Sequence, residues 1–189
     1  SLFSKNQITL IAELSANHNG SLQHAKKLIK LAKKSGADIV KFQTYSPDTM
    51  TINVNNNDFK IHEGLWRGRT LFDLYKEAYT PFEWHEHLFD FAKKNGMTIF
   101  STPFDETAVD LLEKLNTPLY KIASFELVDL PLIKYVAKTK KPMIMSTGMA
   151  SLHEIKEALE TAKINGSDKI ILLHCISGYP TPIDEANIY

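Results

Sequence analysis

Two lysines, Lys41 and Lys121, each stand near the end of a short apolar run and are followed by hydroxyl, amide or carboxylate side chains. The first leads into Lys41-Phe42-Gln43-Thr44, the second into Lys121-Ile122-Ala123-Ser124-Phe125-Glu126. Hydroxyls recur after other apolar runs, as Thr102 in Ser101-Thr102-Pro103-Phe104-Asp105, Ser146 in Ser146-Thr147-Gly148-Met149, and Ser177 in His174-Cys175-Ile176-Ser177-Gly178-Tyr179-Pro180. An isolated ammonium is costly to bury unless an anion accompanies it. A phosphate with an attached carboxylate would satisfy cations and hydroxyl donors together, which points to a small, doubly anionic substrate. Glu13 and Glu126 are then spare carboxylates, able to handle protons or to hold a hydroxylated substrate.

Each residue also has a plainer reading. A lysine closing a strand equally suits a structural salt bridge with a neighbouring glutamate; two of them, each followed by polar groups, favour a ligand site. His174 suits a satisfied core histidine as well as a site. Asn17-His18-Asn19-Gly20 reads as a turn, since Asn and Gly favour such backbone angles. Cys175 reads as a buried small hydrophobe, because no partner arrangement for a nucleophile is visible. His24, His62, His85, His87 and His153 are expected at the surface, and His85-x-His87 lacks the helical i, i+4 spacing of a metal pair.

The elements that must position these groups follow from periodicity. Strand-like runs occur at Ile8–Ala12, Asp38–Phe42, Thr98–Ser101, Leu119–Ile122, Met143–Met145 and Lys169–Leu173. Between them lie amphipathic helical patterns, among them Leu22-Ala25-Leu28-Ile29-Ala32, Phe82-Leu88-Phe91-Ala92, Ala108-Leu111-Leu112-Leu115 and Ile155-Ala158-Leu159-Ala162. Ser21 and Ser151 stand where N-caps belong, and Gly36, Gly96 and Gly166 where helices stop. Strand and helix alternate, so a parallel sheet with right-handed crossovers is expected. Chemistry in such folds collects at the carboxyl ends of the strands, which is where the polar residues above fall.

The spacing is that of a TIM (β/α)8 barrel, an α/β fold of which this chain would hold about the first six β/α units; a doubly wound open sheet shares the rhythm. One spacing is anomalous. The stretch from Tyr45 to Thr80 is a long insertion with an Asn run at 55–57, expected to be a loop with a short helix near Thr70–Ala78 that covers the site. A complete barrel needs eight strands and about 250 residues. The 189 residues are therefore expected to be a partial barrel domain, a piece of a longer protein.

Composition narrows the partner. Lys and Arg number 22 and so do Asp and Glu, so no net field recruits nucleic acid or an anionic membrane. The single cysteine excludes an internal disulfide and suits a reducing cytoplasm. The apolar stretch at residues 8–14 is too short to span a bilayer and contains Glu13.

Taken together, Ala12-Glu13-Leu14-Ser15-Ala16-Asn17-His18-Asn19-Gly20-Ser21, Val40-Lys41-Phe42-Gln43-Thr44, Ser101-Thr102-Pro103-Phe104, Tyr120-Lys121-Ile122-Ala123-Ser124-Phe125-Glu126, Ser146-Thr147-Gly148-Met149 and Leu173-His174-Cys175 with Tyr179-Pro180-Thr181-Pro182 resemble the N-terminal barrel of the sialic acid synthase family. The resemblance runs through essentially the whole chain. Within the family, Glu13-Leu14-Ser15-Ala16-Asn17, Ala123-Ser124-Phe125-Glu126 and the insertion's Leu65-Trp66-Arg67-Gly68-Arg69-Thr70-Leu71-Phe72-Asp73-Leu74-Tyr75 look more like the pseudaminic acid synthases than the N-acetylneuraminate enzymes.

The resemblance implies a transferase that condenses phosphoenolpyruvate with 2,4-diacetamido-2,4,6-trideoxy-altrose, giving a nine-carbon 2-keto (nonulosonic) acid and phosphate. It implies that Lys41, Thr102, Ser124, Ser146 and Ser177 hold phosphoenolpyruvate, that Lys121 and Gln43 line the same pocket, that Glu13 manages a proton or water, and that Glu126 and Tyr179 face the sugar. Glu13, Lys121 and Glu126 form the expected catalytic set. Ser177 departs from the Asn common in neuraminate synthases. The family's divalent metal, magnesium or manganese, takes histidine ligands from the last two barrel strands, beyond Tyr189, and its antifreeze-like C-terminal domain and swapped homodimer also lie outside this chain. The alternatives are an N-acetylneuraminate or legionaminic acid synthase and, in another class, an inactive anion-binding fragment.

Overall fold

The structure, a computed structural model, describes residues 8–178 and 181–188. Among these residues there are six strands: β1 (Ile11–Glu13), β2 (Ile39–Thr44), β3 (Thr98–Pro103), β4 (Tyr120–Ile122), β5 (Met143–Ser146) and β6 (Ile170–Leu173). Their order in the sheet is β1-β2-β3-β4-β5-β6, and the pairs β1–β2, β4–β5 and β5–β6 are parallel. A doubly wound sheet reverses its order at a switch point. An order that simply follows the chain is that of a TIM-barrel wall, so the fold is the first six β/α units of that barrel and the open-sheet alternative falls.

The chain divides into two compact units, Ser1–Ser101 and Thr102–Tyr189. In the first, α1 (Leu22–Lys34) starts where the Ser21 side chain accepts a hydrogen bond from the His24 amide, and its buried face is Ala25, Ile29 and Ala32. It ends before Gly36, whose φ of 90° is a left-handed stop. The insertion carries secondary structure of its own. It contains a short helix α2 (Pro47–Met50), a 3-10 turn at Asn57–Phe59, an antiparallel bridge between Lys60 and Thr70, and α3 (Leu71–Ala78), whose first turn Thr70 caps through the Asp73 amide. Then α4 (Phe82–Lys94) packs Leu88 and Ala92 into a core with Val40, Phe42, Ile29 and Ile99.

In the second unit, Asp105 caps α5 (Glu106–Lys114) by accepting from the Thr107 and Ala108 amides. Asp129 caps α6 (Leu130–Ala137), a helix absent from the helical patterns read in the sequence. Its sequence Leu-Pro-Leu-Ile-Lys-Tyr-Val-Ala buries Leu132, Ile133, Val136 and Ala137 on one face and carries a single charge, Lys134, on the other, and a proline near its start is tolerated where no amide bond is lost. A capping box between Ser151 and Glu154 begins α7 (Leu152–Ile164). On the helix side of β4, the Tyr120 hydroxyl donates to Glu113, which also pairs with Lys141 at 2.6 Å.

The expected strands hold, with bounds that move by one or two residues in β2 to β6 and by three at the start of β1. β1 begins at Ile11 instead of Ile8, because the Leu10 amide donates to the Asp38 carboxylate and Ile8 is exposed. Among the described residues no helix is long and apolar enough to cross a membrane.

Candidate active site

Alternation along β2 sorts its residues. Val40, Phe42 and Thr44 are buried, Val40 and Phe42 in the helix-side core, which leaves Lys41 and Gln43 together on the opposite face. Parallel register sets Glu13 of β1 beside Lys41, and their side chains form an ion pair. The Ser15 hydroxyl donates to the same carboxylate. Thus the plain reading of a lysine paired with a glutamate describes Lys41 in this structure. Lys41 is mostly covered, with its side chain 12 % exposed, whereas Glu13 is 44 % exposed.

Two buried histidines stand behind this end of the first unit. The Gly20 amide donates to His18 Nδ1 at 3.1 Å, so the ring proton sits on Nε2, which donates to Thr80 Oγ1 at 3.2 Å. Burial, with His24 nearby, holds His18 below its usual pKa, so the ring stays neutral. The turn reading of Asn17–Gly20 is right: a 3-10 turn ends on Asn19 and Gly20, both at positive φ.

His85 corrects the expectation of a surface residue. It is 1 % exposed, Nδ1 lies 3.0 Å from the Pro81 carbonyl, and Nε2 lies 2.7 Å from Thr44 Oγ1, itself 2.6 Å from Ser101 Oγ. A carbonyl only accepts, so Nδ1 carries the proton and Nε2 accepts from Thr44. Burial pushes the ring down to about 4, against the weaker pull of carbonyl bonds. The signal was in the sequence: Phe82, His85, Leu88 and Ala92 share one helical stripe. His62, His87 and His153 are exposed as expected, and His24 is half-buried.

The second unit holds the other cation. The Tyr120 hydroxyl reaches the Val109 carbonyl and Glu113 on the helix side, so Lys121 points to the opposite face. It is 8 % exposed and donates to Ser146 Oγ at 2.5 Å and to the Ile122 carbonyl at 2.8 Å. Burial pulls its pKa down to about 8, opposed by Cys175 and Glu126. Among the described residues no carboxylate lies within ion-pair distance of Lys121. A buried ammonium held by a hydroxyl and a carbonyl is chemically suited to an anionic ligand.

Ser124 Oγ lies 3.4 Å from Cys175 Sγ. Burial raises the thiol's pKa, but donors from Ser124, Ser146 and the Thr147 and Gly148 amides outweigh it and leave the thiol below its usual value. The reading of Cys175 as a buried hydrophobe is corrected: it is partly exposed and sits among hydroxyls and amides. Nothing in the sequence marked this, because the donors come from two segments, one after β4 and one at the end of β5, both distant in sequence from the thiol. Glu126 Oε2 is buried with no hydrogen-bond partner among the described residues, and burial raises the carboxyl's pKa. An orphaned acceptor of this kind suits a hydroxylated ligand. Thr102 is 1 % exposed, and Ser177 is half-buried with its hydroxyl close over Gly148. His174 is exposed and faces the Ala186 carbonyl at 2.9 Å; Tyr179 lies outside the described residues.

No three His, Cys, Asp or Glu side chains gather as metal ligands among the described residues.

Residues 28–189 match the family model described as the NeuB family. The chain belongs to the NeuB family. Its relatives within the family include the pseudaminic acid synthase of Helicobacter pylori, 48 % identical over 95 % of this chain and 53 % of that protein. The N,N'-diacetyllegionaminic acid synthase of Campylobacter jejuni is 39 % identical over 95 % of this chain and 54 % of that protein. Among solved structures, the N-acetylneuraminic acid (sialic acid) synthetase of Leptospira borgpetersenii, in complex with citrate, superposes with a TM-score of 0.84 at 30 % identity, covering 96 % of this chain and 59 % of that one. This NeuB-family chain thus spans about half the length of the curated relatives it matches.

Proposed function

We propose that the protein carrying this chain is a phosphoenolpyruvate-dependent carbon–carbon bond-forming synthase that acts on an amino-sugar aldehyde. Its sugar in this reading is 2,4-diacetamido-2,4,6-trideoxy-altrose, and its product a pseudaminic-type nonulosonic acid. The observation that carries the reading is Lys121, a buried ammonium with no ion-pair carboxylate among the described residues, bonded to Ser146 and accompanied by the hydroxyl of Ser124. The 48 % identity to a pseudaminic acid synthase, against 39 % to a diacetyllegionaminic acid synthase, favours that sugar.

In chemical terms, C3 of the enol attacks the aldehyde carbon, water adds at C2, and the C2–O bond breaks to release inorganic phosphate. Lys121, Ser124, Ser146, Ser177, Thr102 and Lys41 hold the phosphate and carboxylate, with Gln43 beside Lys41 on one face of β2. Charge-assisted donors of this kind stabilise charge that builds on the leaving phosphate. Glu13, already ion-paired to Lys41, manages the proton of the added water, because a ligand anion that takes over Lys41 frees the carboxylate to act as a base. Glu126 accepts from a sugar hydroxyl through its orphaned oxygen. Tyr179 is the remaining residue that this reading assigns to the sugar. The divalent magnesium or manganese ion of this reading takes its ligands from outside these residues. A homodimer in the cytoplasm completes it.

The test is phosphate release by the complete protein from phosphoenolpyruvate. Release is expected only with an aldehyde sugar and divalent metal, and faster with the diacetamido trideoxy sugar than with N-acetylmannosamine. Sugar-independent release would overturn the reaction class, and preference for N-acetylmannosamine would overturn the sugar.

A further inference from the structure

Gly148 follows β5 in Ser146-Thr147-Gly148-Met149 and is not among the glycines at positive φ. Its backbone therefore does not require glycine. Space does. A Cβ placed there would fall on Ser177 Oγ, 2.7 Å from Ser124 Oγ and 3.2 Å from Ser124 Cβ, whereas real Cβ atoms essentially never come within 3.0 Å of another heavy atom. Among the other glycines the nearest approach is the flexible tip of Lys33, 3.1 Å from Gly96. Two hydroxyls from separate loops thus converge over one bare stretch of backbone.

The same stretch carries amides. Those of Thr147 and Gly148 both act on Cys175 Sγ, as do the hydroxyls of Ser124 and Ser146. Hydroxyls and amides gathered around one point form a cradle suited to an oxyanion. The Ser124 and Ser177 oxygens can rotate away and the Ser124 Cβ must give by a few tenths of an ångström, so a methyl at position 148 is accommodated by displacing these two side chains. It would cost the cradle its geometry.

We infer that Gly148 is a positioning residue of the anion site: by lacking a side chain it lets the Ser124 and Ser177 hydroxyls converge at the spacing needed to grip one oxyanion. The identity of that anion as phosphoenolpyruvate rests on the function proposed above.

The experiment is Gly148→Ala in the complete protein. The expected result is a rise of about tenfold or more in KM for phosphoenolpyruvate with kcat little changed, and a ligand-free melting curve close to wild type. A mere packing defect would lower the melting temperature and leave KM alone. Ser177→Ala supplies a double-mutant cycle: with one displaced hydroxyl already gone, Gly148→Ala should add much less than it does alone. Wild-type KM in Gly148→Ala, or fully additive effects, would overturn the inference. Failure of the functional reading is separate, since it would appear as absent turnover in the wild type. In that case inorganic phosphate is the probe. Thermal protection by phosphate that Gly148→Ala loses supports the inference, and protection equal in both proteins, or absent from the wild type, overturns it.

Discussion

At the scale of single residues, the two lysines that look alike in sequence are physically different. Lys41 has a carboxylate at its side, placed there by the register of β1 on β2. Among the described residues Lys121 has hydroxyl and carbonyl partners, and burial lowers its pKa to about 8. Its ammonium is the form that binds an anion, so free-enzyme kcat/KM for phosphoenolpyruvate should fall as pH rises through about 8. Replacement by methionine should lower kcat/KM by about 10²–10³ and abolish that basic limb. A pH profile that keeps its limb in Lys121→Met would assign the titration to another group. The pairing of lysines with hydroxyls was legible from residue types. Which lysine is already neutralised was not, because that depends on which strand lies alongside.

At the scale of elements, strands and amphipathic helices were readable wherever one face is polar, as in α1 and α7. Helix α6 was missed because Lys134 is its one charged residue, so the sequence shows little of the polar contrast on which such reading depends. His85 was misplaced for a related reason: a histidine inside an apolar stripe is polar by type and buried by position. It joins α4 to β2 through Thr44 and to β3 through Ser101. The consequence is a stability prediction with a definite sign. His85 is neutral when folded down to about pH 4, whereas the unfolded chain takes up a proton near 6.5. The unfolded state therefore binds more protons between those values, and stability, fully present above about 6.5, falls as pH drops toward 4. Between pH 7.5 and 5 the loss from this group is about 2 kcal/mol. Urea unfolding at the two pH values should show it in wild type and not in His85→Gln; equal losses in both would refute the assignment.

At the scale of the whole molecule, β6 stands last in the strand order and, among the described residues, pairs with β5 alone, and its Leu172 and Leu173 are 42 % and 39 % exposed. A strand edge that also shows leucines is an association surface until something covers it. The 189-residue chain prepared alone should self-associate with rising concentration in light scattering, and Leu172→Lys should reduce that association. A monodisperse monomer at all concentrations would contradict this. By itself the sequence determined the alternation of strand and helix, the insertion, the caps and the concentration of lysines and hydroxyls after strands, since all of these are local consequences of side-chain period and backbone preference. Only the tertiary structure decided the strand order that separates a barrel wall from an open sheet, the pairing of Glu13 with Lys41, the burial of His85, and the closing of Ser124, Cys175 and Ser177 around Gly148. Those depend on which distant segments become neighbours, and no spacing along one chain encodes such a distance directly.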